Sequence, residues 1–290
     1  MRSSRAPRRA LRSLAVLPLV VAAVACAPQE GEDPDAAPTT GDCAVDQLPL
    51  KTAGKLTIGT DSPAYEPWFA ENDPTNGQGY ESAVAYAVAE ELGFDRADVT
   101  WVRVPFNNSY KPGEKNFDFD INQISISEKR AKAVDFSRGY YSASQAVIAL
   151  EKDGVEATSV ADLASLKLGA QTGTTSLTAI TDVIQPSEDP LVFDDTNAAK
   201  QALLNGQVEA IVADLPTAFY ITGAEIEGSE IVGQFQPETG ESEEFGLLFE
   251  KGSDLVGCVD EALHRLEEDG SLDRFADEWI ATNADVPVLD

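Results

Sequence analysis

Short apolar runs of strand length alternate with segments of helical period from Leu56 to near the end of the chain, and this alternation restricts the fold more than any single residue does. Leu56 to Gly59 reads as a strand, Ser82 to Leu92 carries apolar residues at helical spacing and stops at Gly93, and Val99 to Val104 reads as the next strand. Further strands are predicted at Ile121 to Ile124, Ala146 to Leu150, Leu168 to Ala170, Leu191 to Phe193, Ala210 to Ala213 and Gly246 to Phe249. Helices are predicted at about Ser176 to Val183, at Ala198 to Asn205 with Gly206 closing it, and at Pro216 to Thr222. Leu255 to Leu266 and Leu272 to Ile280 form a C-terminal helical pair. Such alternation argues an α/β protein with mostly parallel sheets. At 290 residues and 43% hydrophobic content the chain can fill one large domain or two lobes.

The stretch from Phe117 to Ser137 carries the clearest chemistry. Apolar residues run toward Ile124, Ser125 and Ser127 follow, and Glu128, Lys129 and Arg130 open a short helical turn. A guanidinium beside hydroxyls and free N–H groups suits a carboxylate, because its planar fork meets two oxygens at once. Spacing alone leaves a solvated surface arginine open as well. Gly173, Thr174 and Thr175 repeat the arrangement after the strand at Leu168 to Ala170, although Thr175 is also an acceptable helix cap. Asp214 follows the strand Ala210 to Ala213 and precedes Leu215 and Pro216; with Pro216 as the first helical residue, Asp214 stands one position too early for simple capping.

The order Phe117, Asp118, Ser125, Ile126, Ser127, Glu128, Lys129, Arg130, Ala131, Val134, Asp135, Phe136, Ser137 resembles the signature of the family 3 solute-binding proteins, the amino-acid receptors of ABC importers. Gly59, Thr60, Asp61, then Tyr65 to Phe69, then Gly173 to Thr175, then Asn205 to Ala210 with Asp214 appear in that family's order, so the resemblance spans roughly residues 54 to 282. It implies a two-lobed, periplasmic-binding-protein-like fold of type II, with sheets flanked by helices and joined by two crossing strands near Ala146 to Lys152 and Ser242 to Lys251. The first lobe would combine residues 53–147 with 248–290, and the second would be 148–247. The resemblance also implies a ligand site in the cleft. Arg130 would clamp an α-carboxylate with help from Ser125, Gly173, Thr174 and Thr175, and Asp214 would meet the α-ammonium. Tyr65 would form a wall supported by Trp68 or Phe69. Asn122 and Gln123 stand where family members often carry serine and glycine, so their amides are candidates for selecting a polar side chain.

The N-terminus reads as an export signal over residues 1–25. Arg2, Arg5, Arg8, Arg9 and Arg12 precede an apolar run from Leu14 to Ala25, too short for a permanent span of about 20 residues. Ala23, Val24, Ala25 and Cys26 resemble a bacterial lipobox with alanine in place of the usual leucine, which implies lipidation at Cys26; an ordinary signal peptide cut at a nearby Ala-x-Ala site is the alternative. Residues 27–40 are rich in Pro, Ala, Gly, Asp and Glu and read as a tether, within a linker over 26–52. The remaining Cys43 and Cys258 are expected to pair in an exported protein, against the alternative of two separate buried thiols. The formal charge of −29 excludes nucleic acid as a partner.

The reading that follows is a monomeric receptor, lipid-anchored on the extracytoplasmic face of a bacterial membrane. It would capture a polar amino acid and hand it to an ABC permease, without cofactor, metal or reaction of its own. A phosphate loop is absent from the sequence, as expected if the ATPase is a separate partner. A dehydratase-type enzyme on the same scaffold is the alternative. It would need a carboxylate such as Glu66, since His264 falls in a polar C-terminal helix. A ligand sensor for a signalling receptor is a third reading.

Overall fold

The computed structural model describes residues 43–236, 243–280 and 286–290. The export signal, Cys26, the tether and Ser242 lie outside the described residues.

Ten strands form two five-stranded sheets, one in each lobe. The first has the order β2 (Val99–Arg103), β1 (Leu56–Thr60), β3 (Phe119–Asp120), β10 (Glu243–Glu250), β4 (Val134–Ala143). The second has the order β7 (Leu191–Phe193), β6 (Leu168–Gln171), β8 (Ala210–Asp214), β5 (Gln145–Leu150), β9 (Ser229–Phe235). β1 pairs in parallel with β2 and β3, and β6 with β7 and β8. β10 and β5 run antiparallel to both of their neighbours. In each sheet four strands therefore share one direction, as expected of mostly parallel sheets, and the one reversed strand, β10 or β5, is the one that enters from the other lobe instead of through a helical crossover.

The helices follow the apolar periods. α1 (Tyr80–Glu91) buries Val84, Ala85, Val88 and Ala89, and with α7 (Val256–Glu268) and α8 (Ser271–Trp279) it covers Leu56, Ile58 and Phe249 of the first sheet. α2 (Phe106–Ser109) and α3 (Glu128–Ala131) are single turns near the strand ends. In the second lobe, α4 (Thr175–Ala179), α5 (Thr196–Leu204) and α6 (Leu215–Tyr220) flank a sheet buried on both sides. β5 shows this by its two-residue period: Val147 and Ala149 enter one apolar cluster, while Ala146, Ile148 and Leu150 enter the other. Cys43 is joined to Cys258 of α7 by a disulfide with Cα atoms 5.6 Å apart, tying the start of the described chain to the first lobe's core.

Several expectations shift. The strand at Ile121 to Ile124 is instead the short β3, which ends at Asp120; Gln123 adopts a positive φ of +46° because its backbone N–H and its side-chain amide both turn onto the Glu81 carboxylate. β4 and β9 were not among the expected strands. The chain changes sheets at Ser144, between β4 and β5, so Ala146 to Leu150 belongs wholly to the second sheet, while β10 belongs to the first. The final residues also depart from the first lobe. The Gln234 N–H donates to Pro287 O, the Leu289 N–H donates to Gln234 O, both at 2.8 Å, and Leu289 packs into the second lobe's core.

Candidate ligand-binding site

The carboxyl ends of the parallel strands point at one cleft between the lobes, the place where open α/β sheets gather their ligand contacts. The segment after β1 brings Asp61 and Tyr65, the one after β2 brings Phe106, and the one after β3 brings Asn122 and Gln123. Opposite them, Gln171, Thr174, Thr175 and Ser176 follow β6, Thr196 and Ala199 come from α5, and Asp214 and Thr217 lie at the end of β8 and in α6.

The lobes touch directly around this cleft. The Trp68 indole N–H donates to Thr217 Oγ1 at 2.9 Å, the hydroxyls of Ser125 and Thr175 lie 3.3 Å apart, and Tyr110 donates to Gly173 O at 3.4 Å. Trp68 is fully buried, held edge-on by Tyr80, Tyr141 and Phe245 at centroid separations of 5.4 to 6.0 Å. This supports the cleft from beneath, while Phe69 packs instead against Trp101 in the first lobe's core.

Arg130 lies at the junction, just behind the lining residues. Ser127 caps α3 by accepting from the Arg130 N–H at 3.2 Å, which fixes where the side chain leaves the backbone. The guanidinium donates to Ser125 O at 2.7 Å and to Gly173 O of the other lobe at 3.0 Å, and lies 4.9 Å from the Tyr110 ring centroid and 5.6 Å from that of Phe106. Burial pulls its pKa below the usual value, while Tyr110, Glu243 and Asp214 favour its charge. Two of its five N–H donors meet carbonyls, which leaves three for a carboxylate.

Asp214 lies across the cleft from the α3 segment. The helix begins at Leu215, so Asp214 does occupy the N-cap position, with Pro216 second in the helix; its side chain nevertheless makes no capping bond. The carboxylate accepts from Gln145 Nε2 at 2.8 Å. Burial first, and then the neighbouring Glu243, push its pKa up to about 8, against the Gln145 hydrogen bond and Arg130.

Other candidates differ from expectation in detail. Thr174, not Thr175, caps α4: its hydroxyl accepts from the Leu177 N–H at 3.1 Å and donates to Gln171 O at 2.8 Å. The Ser125 hydroxyl donates to the Glu243 carboxylate. Gln123 lines the cleft, but its amide is committed to Glu81, which burial raises to about 7; its part is to hold the loop rather than to reach a ligand. Asn122 Nδ2 and the Tyr65 hydroxyl are buried polar atoms with no partner among the described residues, and both residues line the cleft. Burial also raises the Tyr65 phenol, so it stays protonated and able to donate. Sequence reasoning did not select Gln145 and Glu243, which meet only through the fold; a glutamine opening an apolar strand and an acid opening another were the available signals.

The model of the bacterial extracellular solute-binding proteins, family 3, matches residues 56–282. The chain belongs to that family. This solute-binding protein is 27% identical over 239 residues to the L-cystine-binding protein TcyJ of Escherichia coli K12, covering 81% of this chain and 85% of the relative. It is 30% identical over 239 residues to the L-cystine-binding protein TcyA of Bacillus subtilis 168, covering 79% of this chain and 82% of the relative. Among solved structures it is similar to the ancestral amino acid-binding protein AncCDT-1, a precursor of cyclohexadienyl dehydratase, with a TM-score of 0.66, 28% identity, and coverage of 79% of this chain and 96% of that one. Among the described residues of the solute-binding protein, no helix is long and apolar enough to cross a membrane.

Proposed function

We propose that this family-3 protein is the extracytoplasmic substrate-binding component of an ABC importer, and that it captures a polar amino acid between its lobes. The observation that carries the reading is the placement of a basic and an acidic side chain at one cleft: the Arg130 guanidinium of the first lobe reaches across to Gly173 O of the second at 3.0 Å, and Asp214 of the second lobe lines the cleft. A zwitterion offers a complementary pole to each, and its two ends then reward closure of the lobes. Tyr65, Asn122, Ser125, Gly173, Thr174 and Thr175 complete the set we assign to the ligand, with Gln123 as support. The unpartnered Tyr65 hydroxyl and Asn122 amide favour a polar side chain.

In this reading the chain performs no reaction and acts as a monomer, lipid-anchored at Cys26, with the permease as its membrane partner. The relatives named as binding proteins support the binding role within it. One structural relative is named as a precursor of a dehydratase, and Glu66, an acid such an enzyme could use, is placed away from the cleft. Glu66 accepts from the Glu71 N–H at 3.1 Å, and it does not line the cleft. His264 is exposed on α7, 3.6 Å from Glu268.

A thermal-shift screen against amino acids tests the reading. A ligand at about 100 times its Kd adds about 2.7 kcal/mol to stability, a shift of several degrees for a body of this size. No shift with any amino acid, alongside a shift with sugars or peptides, overturns the substrate class.

A further inference from the structure

Two carboxylates from different lobes, one buried and one half-buried, meet on one amide. Gln145 Nε2 donates to Asp214 Oδ1 and to Glu243 Oε2, at 2.8 Å each. Gln145 is fully buried and Glu243 is 8% exposed, while Asp214 is half-buried where it lines the cleft. The other oxygen of Glu243 accepts from the Ser125 hydroxyl, and Gln145 Oε1 is buried with no donor among the described residues. The cation best placed to compensate, Arg130, spends its direct hydrogen bonds on the carbonyls of Ser125 and Gly173. Glu81 at the start of α1 adds further negative potential at Asp214, and the Tyr141 phenol of β4 also feels the Asp214 charge. Two like charges at such a site resist simultaneous ionisation.

We propose that Asp214 holds a proton in the ligand-free protein, favoured there by the neighbouring Glu243 on the same Gln145 amide, and that the ligand's α-ammonium displaces it, so that capture releases a proton and strengthens as pH rises. Asp214 carries the proton: its O–H bond breaks, the proton passes to buffer, and the exposed carboxylate accepts from the incoming N–H. The elevation of the Asp214 pKa to about 8 agrees with this direction. Glu243 is a positioning residue. Both of its oxygens are taken, so it acts on the ligand through Gln145 and Asp214 rather than by contact. The inference rests on the assignment of Asp214 to the ammonium pole.

Carbon-13 NMR of the side-chain carboxyls in the ligand-free protein tests the proton on Asp214. The expected result is a carboxyl titrating near pH 8 that is absent in Asp214→Asn and moves down by at least about one pH unit in Glu243→Gln. Titration of Asp214 below pH 5 overturns the inference and leaves the amino-acid reading standing. Calorimetry with the twenty amino acids and L-cystine, in phosphate and in Tris at pH 7.5, tests the release. For each amino acid that binds, the enthalpy should differ between buffers by the release of one-half to one proton, with Kd tightening by about tenfold from pH 6.5 to 7.5. Glu243→Gln should reduce both effects while retaining binding. Equal enthalpies in the two buffers overturn the inference alone, and binding by none of these compounds overturns the amino-acid reading with it.

Discussion

Replacing Arg130 by alanine removes the carboxylate partner while leaving the rest of the cleft in place. The side chain is 9% exposed, and its ligand-facing donors lie in a junction walled by Phe106 and Tyr110, so a ligand carboxylate there loses a poorly solvated partner. Truncating one member of such a pair costs about 2 to 5 kcal/mol, which is about 30-fold to 4000-fold in Kd. Stability should fall less. Two carbonyls lose donors worth about 1 kcal/mol each, and one of those bonds crosses between lobes. Arg130→Lys keeps the charge without the planar fork and should fall between wild type and alanine. Isothermal titration of the amino acid found by thermal shift, with circular dichroism to verify folding, measures both quantities. A Kd for Arg130→Ala within threefold of wild type refutes the carboxylate assignment.

Trp68→Phe removes the indole hydrogen bond to Thr217 and should weaken ligand binding about fivefold by destabilising the closed form by about 1 kcal/mol; titration of Trp68→Phe and Thr217→Val should give similar losses, and no loss in either denies that contact a part in closure. Reduction of the Cys43–Cys258 bridge, which spans 215 residues of sequence, should lower unfolding stability by about 2 to 5 kcal/mol in denaturant titrations while leaving affinity unchanged, because neither cysteine lines the cleft. Glu81 retains its proton up to about pH 7 when folded, against an ordinary value near 4.5, so its contribution is complete below pH 4.5 and is lost as pH rises through 7, by roughly 3 kcal/mol. Asp214 acts with the same sign over a wider range, from about pH 3.8 to about pH 8. Urea unfolding should therefore give greater stability at pH 5 than at pH 8, and Glu81→Gln should flatten the decline; equal stability at both values contradicts it.

The parts of the fold legible in the sequence were those where burial imposes a simple period. β5, β6, β7 and β8 are short apolar runs, and each was located within about one residue at either end. β4 was harder because its burial alternates irregularly along Val134–Ala143, with exposed Arg138 and Ser142 interrupting the apolar pattern. β9 mixes Glu230, Gly233 and Gln234 among its apolar residues, so no uniform run announces it. The cleft was legible where strand ends carry unusual residues, as at Asp214 and at the Ser125 to Arg130 segment. Relations between distant residues were not: Gln123 is held by Glu81, 42 positions away, and Gln145 joins Glu243, 98 positions away, so no local spacing encodes either.

The most direct measurement is a crystal structure of the protein with its amino acid bound. Both carboxylate oxygens are expected within hydrogen-bonding distance of the Arg130 guanidinium, with the α-nitrogen on Asp214 of the opposite lobe. An amino acid seated in the cleft with its poles reversed, or touching neither residue, contradicts the account.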